Sequence, residues 1–205
     1  MTNYEEYTKL YINHDKNEEG EEILSKLHLY KNLETLTFDD TCQKASDTKE
    51  LSYTLSKLEN LKSLTFTDIF ISLELIDFSQ LKKLEELAFH DTHDLPGYII
   101  TKLGYELPKL KNLRILCLPN GKPDQIDFSQ LKKLEELVLD GIDFDTEDIK
   151  KLINQLSRLE NLRIIKLPWG MAECDVSLFD FSKFNKLEEL VLYGMTINIQ
   201  RRGGY

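Results

Sequence analysis

The chain has 205 residues, of which 41% are hydrophobic and 30% charged, the composition of one folded soluble domain rather than of a disordered or fibrous chain. Its 26 basic and 36 acidic side chains leave a net charge of −10, which excludes nucleic acid and anionic membrane as expected partners and favours basic proteins or peptides. No window approaches the roughly 18–20 apolar residues of a membrane helix, and the first residues carry acids where a signal peptide carries bases. Three widely spaced cysteines, Cys42, Cys117 and Cys174, fit neither a disulfide framework nor a zinc pattern. The whole chain is expected to be the mature protein, in the reducing cytoplasm and without cofactor or metal.

In chain order, residues 4–29 place Tyr4, Tyr7, Leu10, Tyr11, Ile23, Leu24 and Leu27 among many acids, which predicts one or two amphipathic helices. Residues 15–22 are the exposed turn between them. Beyond this helical N-terminal cap of residues 1–30, self-similarity dominates. The block IDFSQLKKLEEL occurs at 76–87 and again, unchanged, at 126–137, and a degenerate copy, FDFSKFNKLEEL, occupies 179–190. A second block type stands between these copies: LHLYKNLETLTF from Leu27, LSKLENLKSLTF from Leu55, LPKLKNLRILCL from Leu107 and LSRLENLRIIKL from Leu156. Each contains the hexamer L-x-x-L-x-L or a close variant, opening at Leu33, Leu61, Leu84, Leu113, Leu134, Leu162 and Leu187, with steps of 28, 23, 29, 21, 28 and 25.

The long steps have room for a helix. Residues 46–58, 94–110 and 145–159 carry apolar residues at helical spacing, as in Ile149, Leu152, Ile153, Leu156 and Leu159. The short steps, with Phe-Ser-Gln-Leu, predict a single helical turn with Ser79 and Ser129 as caps. At the end of the chain, residues 195–205, TINI predicts an edge strand and RRGGY a frayed tail.

Seven iterated hexamers over residues 27–192 resemble the leucine-rich-repeat family, here as a mixture of short repeats and repeats of ribonuclease-inhibitor-like length. The resemblance implies an α/β solenoid: a curved, parallel, concave sheet of about seven strands with helices or helical turns on the convex side. Physical reasoning agrees, because one repeat cannot bury Leu134, Leu137 and Leu139 by itself and must stack on neighbours. One departure is evident. Where many members carry asparagine after the hexamer, this chain has Thr41, Ile69, Thr92, Gly121, Ile142, Gly170 and Met195.

Numbering the hexamer from 1 to 6, the leucines face inward and positions 3, 5 and 7 line the concave face. Position 3 reads Thr35, Ser63, Glu86, Ile115, Glu136, Ile164 and Glu189. Position 7 and its successor include Asp39, Asp68, His90, Asp91, Asn120, Asp140, Trp169 and Tyr193, a rim of acids ending in the single tryptophan. Glu86, Ile115, Glu136, Ile164 and Glu189 of the first row and these eight of the second are the candidate partner-binding set, with Trp169 either an anchor or packed onto its own loop. Position 2 alternates in sign through Glu34, Lys62, Glu85, Arg114, Glu135, Arg163 and Glu188, which reads as a ladder for register and stability.

No catalytic motif of the nucleophile-elbow, phosphate-loop, dinucleotide or zinc-protease type occurs. The cluster His90-Asp91-Thr92-His93-Asp94 could hold a metal, but its spacing is generic and a solvated loop is the expectation. Cys117 beside His90 lacks an orienting third group. The leading function is a monomeric, non-catalytic module that binds another protein or peptide of basic or amphipathic surface, as adaptor, regulatory subunit or inhibitor, including an immunity-type inhibitor of a toxin. Resemblance to the family is what favours those roles. The alternatives are self-assembly through a weakly capped C-terminal end and a metal enzyme built on the His90 cluster.

Overall fold

The computed structural model describes residues 3–13, 20–39, 45–68, 73–90, 97–119, 125–140, 145–167, 180–192 and 195–199. Nine strands form one sheet: β1 (Lys9–Asn13), β2 (Thr35–Asp39), β3 (Ser63–Thr67), β4 (Glu86–His90), β5 (Ile115–Leu118), β6 (Glu136–Leu139), β7 (Ile164–Leu167), β8 (Glu189–Leu192) and β9 (Met195–Asn198). Their order across the sheet is their order in the chain. The strands β1 to β8 are parallel and β9 returns antiparallel to β8. Among the described residues, four α-helices lie between strands: α1 (Gly20–Lys26), α2 (Ala45–Leu55), α3 (Gly97–Glu106) and α4 (Thr146–Leu156). Each strand pairs with the strands before and after it in sequence, which makes the molecule a solenoid.

Register is set by one backbone device repeated at every step. The carbonyl of position 2 accepts the N–H groups of positions 2 and 3 of the next repeat: Glu34 O from Lys62 and Ser63 (2.8 and 2.9 Å), Glu85 O from Arg114 and Ile115 (2.7 and 2.9 Å), Glu135 O from Arg163 and Ile164 (2.8 and 3.0 Å). Both lone pairs of the oxygen are used, so a slip of one residue would cost two bonds per repeat and turn the leucines outward.

The inward rows then stack into one core. The first hexamer leucines, Leu33 through Leu187, are all 0–1% exposed. The sixth position carries Phe38, Phe66 and Phe89 in β2 to β4, whose rings stack at 5.4 and 5.2 Å with interplanar angles of 10°. Leu118, Leu139, Leu167 and Leu192 continue that row. Phe78 meets Phe66 and Phe89 edge-on, closing the spine from the side of the connecting turns.

The long connectors are helical as the spacing predicts, and Asp145 caps α4 by accepting from Glu147 N and Asp148 N at 2.8 and 2.9 Å. The short connectors are 3₁₀ turns at Phe78–Gln80 and Phe128–Gln130. Their caps differ from expectation. Asp77 and Asp127 accept from the backbone N–H of Ser79 and Ser129, each at 3.1 Å, while the serines are buried and donate their hydroxyls to the same carboxylates. An ionised carboxylate one residue before the turn is the better acceptor for two donors.

Helix and turn are fastened by polar side chains reaching across. Glu106 Oε2 accepts from the buried Phe78 N–H at 3.0 Å, and Gln155 Oε1 does the same for Phe128 N–H at 3.0 Å. Glu106, 9% exposed, also pairs with Lys102 at 2.8 Å, and that ammonium reaches the Ile76 carbonyl and lies 5.3 Å over the Phe78 ring. Gly104 permits close packing here, since a Cβ at this position would stand 2.5 Å from the Gln125 carbonyl oxygen.

The N-terminal segment departs from the sequence expectation. Lys9–Asn13 is a strand, not part of a helix, and among the described residues the α-helix is confined to Gly20–Lys26, with 3₁₀ turns at Tyr4–Glu6 and Leu27–Leu29. Leu10 pairs with Leu36 and Ile12 with Phe38, while Thr8 O accepts from Glu34 and Thr35 N–H at 2.8 and 3.0 Å. The segment Tyr7-Thr8-Lys9-Leu10-Tyr11-Ile12 is thus a hexamer with tyrosine in its first place, 26 residues before Leu33. The open face therefore has eight parallel strands rather than about seven. At the other end TINI forms the expected edge strand, with Ile197 and Ile199 packed against the core.

Because Gln155 performs at Phe128 what Glu106 performs at Phe78, Glu106→Gln is expected to retain most of the stability. Glu106→Ala leaves a buried N–H unpartnered and takes the carboxylate from Lys102, and is expected to cost about 1–3 kcal/mol. Chemical denaturation of both variants checks this; equal losses would contradict it.

Candidate functional site

The face of the sheet opposite the buried leucines presents three parallel rows. Position 3 runs Lys9, Thr35, Ser63, Glu86, Ile115, Glu136, Ile164, Glu189 in continuous register across β1 to β8. All but the exposed Lys9 are partly exposed, including the two isoleucines. Position 5 runs Tyr11, Thr37, Thr65, Ala88, Cys117, Val138, Lys166, Val191, with Ala88 and Cys117 buried. The face divides along its length into a polar half on β1 to β3, whose one charge in these two rows is Lys9, and, from β4 onward, a half in which carboxylates and apolar groups alternate.

At the boundary between the halves Ser63 donates to Glu86 at 2.8 Å, and within the second Lys166 donates to Glu136 at 2.6 Å. The Glu136 hydrogen bond holds the Lys166 ammonium above its ordinary pKa, so it stays charged. Three glutamates against one lysine leave this half acidic. Burial, with Glu136 and Glu86 nearby, pushes the Cys117 thiol up to about 12. That removes thiolate character at neutral pH, and Cys117 sits across from Ala88 and Val138 in register.

The structure brings the candidate residues Glu86, Ile115, Glu136, Ile164 and Glu189 into one row. The rim is less uniform. Asp39 accepts from the Tyr11 hydroxyl and from Asn13 Nδ2, the latter at 2.9 Å, so it helps join β1 to β2. Its carboxylate holds the Tyr11 phenol above the usual value of 10.0. Asp68 is exposed with φ 44°, a left-handed conformation that aspartate tolerates, and its N–H donates to His90 O at 3.0 Å. His90 and Asp140 are exposed at the ends of β4 and β6. Asp91, Asn120, Trp169 and Tyr193 lie outside the described residues, as does His93-Asp94 of the proposed metal cluster.

The position 2 row forms pairs rather than an unbroken ladder. Lys62 meets Glu34 at 2.8 Å, Arg163 meets Glu188 through two bonds of 2.9 and 2.8 Å, and Arg114 grips Glu135 through two of 2.8 and 2.9 Å while reaching Glu85 at 3.5 Å. A second ladder escaped the sequence reading. Asparagine precedes the hexamer in the long-block repeats, and the amides of Asn32, Asn60, Asn112 and Asn161 donate to the carbonyls of Glu5, Lys31, Lys82 and Lys132 of the preceding repeat at 2.9–3.0 Å. Lysine occupies that place in the others, and Lys83, Lys133 and Lys186 donate to Asn60, Asn112 and Asn161 Oδ1 at 2.7–2.8 Å. The signal was the recurring Asn-Leu and Lys-Leu pairs at the start of each block.

Concavities occur among the described residues. One of about 210 Å³ lies where Lys62, Glu85, Glu86, Arg114, Ile115 and Glu135 meet on the open face. A larger one, about 530 Å³, is lined by His28, Lys31, Tyr53 and Lys57 near the end of α2, where Lys57 already lies 4.8 Å over the Tyr53 ring.

No family model and no curated protein matches the sequence. Among solved structures, a leucine-rich-repeat protein of Leptospira interrogans aligns with 91% of this chain and 55% of its own, at a TM-score of 0.46 and 17% identity. The chain thus spans about half the length of that protein. What makes this chain a leucine-rich-repeat solenoid is its own register, in which each hexamer supplies one parallel strand and buries its leucines against the next. No helix among the described residues is long and apolar enough to cross a membrane.

The carboxylates of Glu135 and Glu188 lie below their ordinary 4.5 because Arg114 and Arg163 hydrogen-bond them. A depressed carboxylate contributes stability that is present above the unfolded value and lost as pH falls through the folded one. The melting temperature is therefore expected to fall as pH drops below about 4.5, and to fall less in a Glu135→Gln/Glu188→Gln variant. Identical pH profiles by calorimetry would contradict this.

Proposed function

We propose that the chain is a non-catalytic protein-binding solenoid that holds a partner of basic or amphipathic surface against the open face of its sheet. It acts there as adaptor, regulatory subunit or inhibitor of an enzyme or toxin, as a single repeat domain, monomeric, in the cytoplasm. The observation that carries this reading is the position 3 row of β4 to β8. Glu86, Glu136 and Glu189 alternate with Ile115 and Ile164 on strands whose core is complete without them. Two solvent-facing isoleucines add nothing to that core, and a partner would bury them. Asp68, His90 and Asp140 extend the site along the rim, and hexamer phase in the sequence adds Asp91, Asn120, Trp169 and Tyr193 to the proposed partner-binding set.

The Cys117 thiol, held protonated by its burial, offers no nucleophile at neutral pH, which favours binding over catalysis at this face. The packing of Ile197 and Ile199 on the core favours the face over the C-terminal end as the site of interaction.

Affinity capture from native lysate tests the proposal, comparing wild type with Ile164→Glu/Glu189→Lys on the open face and Tyr105→Ser on α3, a side chain 74% exposed. Partners are expected to be lost with the first variant and kept with the second. Retention by the open-face variant, or loss with Tyr105→Ser, would overturn the assignment.

A further inference from the structure

The alternation on β4 to β8 carries more than a net charge, because its period can be compared with the periods of possible ligands. Adjacent strands lie about 4.8 Å apart, so Glu86, Ile115, Glu136, Ile164 and Glu189 alternate acidic and apolar groups at that interval, with like groups about 9.6 Å apart. We infer that the occupant of this face is an amphipathic α-helix laid across the strands, presenting basic and apolar residues in alternation at i, i+3 or i+4, and i+7. The inference rests on the reading of the open face as the partner site.

Three regular backbones can be laid across the row. An extended strand repeats on one face about every 6.8 Å and falls out of step with the sheet after two strands. A polyproline helix repeats on one face about every 9.3 Å, which matches the glutamates but leaves no side chain between them for Ile115 and Ile164. An α-helix rises about 1.5 Å per residue, so steps of three and four give about 4.5 and 6 Å and a heptad about 10.5 Å. Over the four steps from Glu86 to Glu189 the row spans about 19 Å and the two heptads that match it about 21 Å, so the helix stays in step to about 2 Å over the whole row. Of the three, the α-helix alone offers both sets at the required interval.

The neighbouring row fits the same occupant. Ala88 and Cys117 at position 5 of β4 and β5 are small and buried, and Val138 and Val191 are short, so the floor beside the row is low and apolar. Lys166, the one basic group there, is already bound to Glu136. On β2 and β3 the row turns to Thr35 and Ser63, which offer neither charge nor apolar surface, so the footprint ends at β4.

The test uses two labelled peptides and fluorescence anisotropy with the intact protein. One is a peptide of about 21 residues with lysine and leucine alternating at the a and d positions of three heptads; the other is proline-rich with lysine at every third residue. The helical peptide is expected to bind wild type roughly ten-fold more tightly than the proline-rich one, to lose about that factor against Glu86→Lys/Glu189→Lys, and to regain it when its lysines are replaced by glutamate. Far-ultraviolet circular dichroism of the variant guards against loss of fold. If the proline-rich peptide binds as well and is equally sensitive to Glu86→Lys/Glu189→Lys, the helix inference falls while the open-face reading stands. If neither peptide binds although lysate capture maps the natural partner to this face, the helix inference again falls alone. If both peptides bind wild type and variant alike, both readings fall.

Discussion

Everything in this molecule depends on a backbone oxygen that accepts two hydrogen bonds. At position 2 of each repeat one carbonyl takes the N–H groups of positions 2 and 3 of the next, from Thr8 through Glu34, Lys62, Glu85, Arg114, Glu135 and Arg163. That oxygen is indifferent to the side chain it carries, which lets position 2 alternate between glutamate and a base without changing the fold. The strands are aligned by backbone, the leucines are then buried by alignment, and side-chain pairs such as Arg163 with Glu188 add to a register already fixed.

A division of labour follows from this geometry. From the second strand onward positions 1, 4 and 6 face the core and carry only leucine, isoleucine or phenylalanine, as the stacked Phe38, Phe66 and Phe89 illustrate. The residue before the hexamer fastens the edge through the asparagine and lysine ladder. Positions 3 and 5 face outward and are constrained only by the neighbour on either side. Their sequence varies most between repeats, from Thr35 and Ser63 to Glu86 and Ile115, and variation on a fixed scaffold is how a repeat protein acquires a specific surface. The net charge of −10 conceals this arrangement, because lysines crowd the turns before the strands while carboxylates occupy the open face and rim.

The repeat from Leu33 onward was legible in the sequence because seven hexamers agree in phase, and agreement among copies outweighs any one local propensity. The first strand was not, since Tyr7 stands where the other copies have leucine and the acids around it suggest an amphipathic helix. Its tertiary context decides otherwise: Tyr7 and Tyr4 pack edge-on against the buried Tyr30 at 5.8 and 5.0 Å, and Tyr7, at the open end of the stack, stays 47% exposed where the later leucines are buried. The caps of the short turns were misplaced by one choice between neighbours, Asp77 over Ser79, which charge decides and spacing does not. Of the candidate surface, the row of alternating glutamate and isoleucine could be read directly from hexamer phase. The engagement of Asp39 with Tyr11 and Asn13 could not, because it requires a strand that the sequence did not announce.

Amide hydrogen exchange resolved by residue tests the stacked carbonyl device most directly, at the step where it was least evident. If residues 8–13 are the first repeat, the amides of Glu34 and Thr35, bonded to Thr8 O, are expected to exchange as slowly as those of Glu135 and Glu136, bonded to Arg114 O. Exchange of Glu34 and Thr35 at solvent-exposed rates, with the later pair protected, would show that the sheet begins at β2 and would contradict the account.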